Sequence, residues 1–108
     1  MTVYDLSKSG QFNDLCMPEP EREINGAYVG DLLSWVMGRA QADNVWITIM
    51  SNINVIAVAS LSDVSCVLLA EDVSLDDEIL NTANQKGINI LSTPLAAFEP
   101  AVQISGMI

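Results

Sequence analysis

Two rhythms of apolar and polar positions run through this chain. Val45 to Met50, rich in β-branched and aromatic residues, and Cys66 to Ala70 are near-continuous apolar runs, which suits strands covered on both faces. Ile88 to Leu91 reads as a third strand of that kind. Phe12 to Met17 and Ile24 to Val29 are further extended stretches, the first an edge strand. Between them the period lengthens. Leu32, Leu33, Val36, Met37 and Ala40 fall on one helical stripe, with Trp35 off its centre. Val55 to Leu61 is apolar on every side, which predicts a helix buried on most of them. Ile79, Leu80 and Ala83 mark the inner face of a further helix that Lys86 and Gly87 end.

Local signals place the helix starts. Thr2-Val3-Tyr4-Asp5 reads as a capping box for a short helix that ends at Gly10, and Ser74-Leu75-Asp76-Asp77 as a second box. Asp31 and Asn54 are expected N-caps. Thr93-Pro94 is expected to open the last helix, and Pro100 to kink or break it. Two prolines make Pro18 to Glu23 a solvated loop. Strands alternating with helices predict one α/β domain over residues 1–108, with a mostly parallel sheet of about four to six strands and helices on both faces.

Polar pairs recur about every 21 residues, each after an expected strand: Gly30-Asp31, Ser51-Asn52, Glu71-Asp72 and Ser92-Thr93. Right-handed crossovers would line them along the carboxyl edge of the sheet, where open α/β sheets bind ligands. The candidate ligand-binding residues are therefore Gly30, Asp31, Ser51, Asn52, Asn54, Ser92 and Thr93. The neutral members offer hydrogen bonds, while Asp31, Glu71 and Asp72 add negative charge that opposes a bare phosphate. A polar neutral ligand, or a metal-bridged one, fits better. The competing reading is that these residues are only caps and turns.

Composition narrows the function. Half of the 108 residues are apolar, enough for a core without disulfide or metal staples. The net charge is −10, and the only cations are Lys8, Arg22, Arg39 and Lys86. Four scattered cations cannot supply counterion release, so neither nucleic acid nor an anionic membrane is an expected partner. The acidity serves solubility, or a basic partner protein. No apolar run reaches the ~20 residues of a membrane span, and Met1 to Asp5 does not read as a signal peptide. A cytoplasmic location is expected.

Histidine is absent, and Cys16 and Cys66 lie in no C-x-x-C pair, so no metal site and no cofactor are expected. Cys66 and Trp46 read as core residues. No P-loop, G-x-G-x-x-G or G-x-S-x-G motif occurs, and a chain without histidine has no Ser-His or Cys-His pair. The chain is therefore expected not to be an enzyme. Its apolar surplus, including Ile104 to Ile108, suggests a homodimer.

Gly26 to Ser34, Val45 to Ile49, Asn54 to Ala59 and Ile90 to Thr93 together resemble a stand-alone DRTGG domain. The resemblance implies a fold like the N-terminal domains of HPr kinase/phosphorylase and of MurF-type ligases. It also implies a regulatory or ligand-sensing role. Such domains accompany CBS pairs or phosphotransacetylase domains, and small stand-alone versions are associated with iron-only hydrogenase systems. Glu21 to Ala27 keeps the Arg and one Gly of the naming motif but not its Asp or second Gly. Asn52 stands where relatives of this type commonly carry His. The kinase activity of HPr kinase belongs to a separate P-loop domain that this chain lacks. The expectation is a non-catalytic regulatory domain binding a small polar or nucleotide-type ligand, with a pure protein-interaction module as the alternative.

Overall fold

The apolar runs form the middle of a five-stranded sheet. In the computed structural model, which describes residues 1–108, β1 (Asn13–Cys16), β2 (Gly26–Val29), β3 (Asn44–Thr48), β4 (Cys66–Leu69) and β5 (Ile90–Ser92) lie in the order β1-β5-β4-β3-β2. Strands β2 to β5 are parallel, and β1 runs antiparallel to β5 with a register shift between Asp14 and Cys16. The helices are α1 (Val3–Lys8), α2 (Leu33–Arg39), α3 (Asn54–Ser62), α4 (Asp77–Gln85) and α5 (Phe98–Met107).

Alternation along each central strand builds two cores. Trp46, Val67, Leu69 and Ile90 pack against Val36 of α2, Val55 and Ala59 of α3 and Ala83 of α4. Val45, Ile47, Cys66, Leu68 and Leu91 pack against Val3 and Leu6 of α1 and Ile104 of α5. The three crossover helices thus share one face, and the two terminal helices cover the other. No helix is long and apolar enough to cross a membrane.

Several helix ends differ from the sequence reading. Thr2 does cap α1 through a complete capping box with Asp5, and Gly87, at φ 73°, follows the Lys86 end of α4. Asp31, however, does not cap α2; Leu32 precedes the helix, and Asp31 bonds β3 instead. Asn54 is the first helical residue of α3, and its N–H donates to Asn52 Oδ1 at 2.9 Å. Asp76, not Ser74, caps α4 by accepting from Ile79 N. Thr93-Pro94 forms a turn, and α5 begins only at Phe98. Pro100 therefore falls in the first turn of α5, where its missing N–H breaks no intrahelical bond.

Two apolar stripes are also less buried than their patterns suggest. On α2, Leu32 and Met37 of the expected stripe are exposed, and Val36 alone is fully buried. On α3, only Val55, Ile56, Val58 and Ala59 are buried, and Leu61 is 76% exposed.

The amino edge of the parallel strands is closed by the loop that connects β1 to β2. The Arg22 guanidinium donates to Asp43 Oδ1 at 2.8 Å, to Asp63 Oδ1 at 3.0 Å and to the Asp63 carbonyl at 2.9 Å. Asp43 and Asp63 immediately precede or nearly precede β3 and β4, and both sit in the left-handed region, at φ 68° and 55°. Burial disfavours the Arg22 charge, but the two carboxylates outweigh it and hold its pKa above the ordinary value. Buried Asn89 accepts from Glu19 N and donates to the carbonyls of Glu19 and Ser65, while Ser65 Oγ donates to the Glu23 carbonyl.

Arg22→Ala should cost about 1–2 kcal/mol, since the carboxylates are half-exposed and only the backbone bond is shielded. Urea unfolding checks this; Arg22→Lys should recover less than half, because an ammonium cannot reproduce the fork. A second expectation concerns Cys66, whose thiol burial pushes up to about 12 from 9.0. Between those values the unfolded chain has released a proton that the folded chain keeps, so stability is full below pH 9 and falls as pH rises towards 12. The urea midpoint should drop between pH 9 and 11, and Cys66→Ala should flatten most of that drop.

Candidate functional site

A cleft of about 500 Å³ opens at the carboxyl edge of the sheet, between the start of α3 and the first turns of α4. Ser51 and Asn52 form one wall. Asp76, Glu78 and Thr82 form the other, and the side chains of Ile53 and Ile79 add apolar surface. The two walls differ in charge. The first turn of α3 holds no acidic residue, whereas α4 has Asp77 and Glu78 in its first turn and Asp76 as its cap. Positive helix-end potential is therefore left uncompensated at α3 and met by carboxylates at α4.

The local bonding explains which groups face outward. Asn52 Oδ1 is occupied by Asn54 N, so its amide nitrogen is the group left to donate. Asp76 uses Oδ1 to hold Ile79 N, leaving its second oxygen as an acceptor. Thr82 Oγ1 donates to the Glu78 carbonyl one turn earlier.

The other expected site residues have different positions. Asp31 Oδ1 accepts from Thr48 Oγ1 at 2.7 Å and from Ile49 N at 3.0 Å, tying the β2–α2 loop to the end of β3. The Gly30 carbonyl accepts from Trp46 Nε1 at 2.8 Å, and a side chain at Gly30 would come within 2.9 Å of the Tyr28 ring. Asn54 is exposed on α3 but does not line the cleft. Ser92 and Thr93 are buried; Thr93 N donates to the Leu69 carbonyl, and its Oγ1 accepts from Leu95 N. The carboxyl edge thus brings Ser51 and Asn52 together with α4, while Gly30, Asp31, Ser92 and Thr93 lie outside the cleft lining.

Glu71 and Asp72 are turn residues at φ 57° and 61°, with their N–H groups on the carbonyls of Leu95 and Thr93. The cleft residues the sequence reading passed over are Asp76, Glu78 and Thr82. Their signal was the acidic start of α4, which ordinary helix capping fully accounts for. What the sequence does not display is that α3 and α4 start side by side.

The two thiols add no nucleophile. Burial raises both, Cys66 to about 12 and half-buried Cys16 to a lesser degree, so both are protonated at neutral pH. No group of three or more His, Cys, Asp or Glu side chains is placed to hold a metal ion.

A family model described as the DRTGG domain matches residues 21–107. No curated protein matches the chain. Among solved structures it is similar to the CBS and DRTGG domains of the regulatory region of Clostridium perfringens pyrophosphatase, complexed with its activator, diadenosine tetraphosphate. The TM-score is 0.66 at 14% identity, over 94% of this chain and 44% of that one. The chain therefore spans less than half the length of that structure, and likeness at this identity concerns the fold. The family match begins in the loop that closes the amino edge and ends in α5, taking in the whole parallel sheet and the cleft. This chain belongs to the DRTGG domain family.

Proposed function

We propose that this domain is a ligand-sensing regulatory module, acting as a homodimer, whose ligand is a nucleotide bound between α3 and α4. The observation that carries the proposal is the charge asymmetry of the cleft. A nucleotide has a polyanionic end and an end rich in hydroxyl donors. The phosphate suits the start of α3, whose first turn holds no carboxylate and where the Asn52 amide nitrogen and the Ser51 hydroxyl can donate. The ribose hydroxyls suit the carboxylates of Asp76 and Glu78, acceptors of the kind that hold ribose diols elsewhere. A volume of about 500 Å³ falls in the range of ligand pockets, and Ile53 and Ile79 offer apolar contact to a base. The nucleotide activator of the structurally similar regulatory region supports the same ligand class.

This orientation also answers the electrostatic objection to a phosphate. Of the edge carboxylates, Asp76 and Glu78 line the cleft on the α4 side, while Asp31, Glu71 and Asp72 lie outside its lining. A bare phosphate would gain only the α3 end. A nucleotide can engage both ends, so the cleft should prefer nucleotides over inorganic phosphate.

Thermal unfolding against AMP, ADP, ATP and diadenosine tetraphosphate tests the proposal. A ligand at ~100 times its dissociation constant adds about 2.7 kcal/mol, a rise of about 10 °C for a domain of this size. One nucleotide should give a saturable rise that Asn52→Ala and Asp76→Ala both weaken; no rise with any of the four at millimolar concentration would reject it. Ser51→Asp separates binding from stability. Its carboxylate should compensate the α3 end, raising stability by about 0.3–1 kcal/mol while abolishing the nucleotide response.

A further inference from the structure

The two edges of the sheet are treated differently. β1 is a guarded edge: it carries Asp14, its register shifts between Asp14 and Cys16, and Pro18 follows. β2 has none of these devices. Gly26-Ala27-Tyr28-Val29 contains no charge and no proline, pairs in unbroken register with β3 on one side, and pairs with nothing on the other. Ala27 is exposed, and Val29 is 52% exposed. Helix α5 packs beside this strand. Ile104 faces the core and Gln103 reaches towards α1, donating to the Ser9 carbonyl at 3.0 Å. Helical geometry then turns Phe98 to the flank away from α1, where it is 75% exposed, and Val102, 54% exposed, to the outer face opposite Ile104. An open strand and an apolar helix flank form one shoulder.

We infer that this shoulder is a self-association surface on which β2 pairs antiparallel with β2 of a second copy, joining two five-stranded sheets into one of ten strands. The inference rests on the homodimer part of the proposed function. Charge selects the occupant. The chain has fourteen acidic residues, yet β2 has none and α5 has only Glu99, so a basic partner would find little to pair with here. Two copies of a molecule with net charge −10 repel except where their facing surfaces are uncharged, and β2 is such a place. An edge strand is also self-complementary about a two-fold axis, because the same residues serve both sides. In that arrangement Val29 and Phe98 of each copy lose their exposure to water together.

Sedimentation equilibrium of the full chain tests this. The expected mass is twice 11.6 kDa. Val29→Lys should weaken association at least tenfold, and Phe98→Glu, on the helix surface, should do the same without touching the sheet. Trp35→Glu, on the separate exposed face of α2, should leave the dimer intact. Circular dichroism of each variant reports folding, and Phe98→Glu carries the test if Val29→Lys does not fold. A monomeric wild-type chain would overturn both the surface and the homodimer. A dimer that survives both Val29→Lys and Phe98→Glu, or that Trp35→Glu dissociates, would overturn this surface and leave the homodimer standing. Nucleotide-induced thermal shifts on the same variants report the cleft independently.

Discussion

One guanidinium holds the base of this molecule together. Arg22 is the only side-chain cation in a salt bridge, and it reaches two turns at once. Both turns place an aspartate in a backbone region that L-residues seldom adopt. Their carboxylates would repel each other if left unpaired, and the Asp43 N–H bonded to the Asp63 carbonyl keeps the turns close. Arg22 resolves the repulsion through a planar fork that meets two carboxylates and a carbonyl. The contact ties together the turns that lead into β3 and β4, which pair with each other in parallel register.

The sheet accordingly has a closed edge and an open one. At the amino edge, Arg22, Ser65 and Asn89 satisfy the loop that crosses beneath the strands. At the carboxyl edge, Asp31, Thr93 and the Trp46 indole brace neighbouring loops, and a cleft opens between α3 and α4. Arg22 belongs to the closed edge, and its bonding partners are all within the protein. The proposed ligand groups lie at the opposite ends of the same strands.

The central strands were legible because burial on both faces leaves a continuous apolar run that no helix of that length would need. Trp46 and Cys66 were legible as core for the same reason. Helix starts were harder. Asp31, Asn54 and Ser74 each have cap chemistry, but a cap is chosen by which acceptor reaches a free N–H, and that depends on where the preceding loop is held. Asp31 was claimed by Thr48 and Ile49 on a strand seventeen residues later. Ser92 and Thr93 read as solvent-facing polar residues, yet the crossing of the 93–95 segment over Glu71 and Asp72 buries them. Of the site, Ser51 and Asn52 could be placed by periodicity. The opposing wall could not, since adjacency of two helix starts is a tertiary fact.

The pairing of β1 with β5 has a kinetic meaning. Asn13 meets Ser92 and Cys16 meets Ile90, so the first strand made must wait for the last before it has any neighbour. No two consecutive strands of this sheet form a hairpin; β1 and β2 lie on opposite edges, and each later strand is reached through a helix. Long-range pairing of this kind delays the reward for closing the chain and favours slow folding. During synthesis the growing sheet would stack β2, β3 and β4 in order while β1 idles at the side, and α1 alone is available to cover the inner faces of β3 and β4 until α5 emerges. The final quarter of the chain is thus the step that commits the rest.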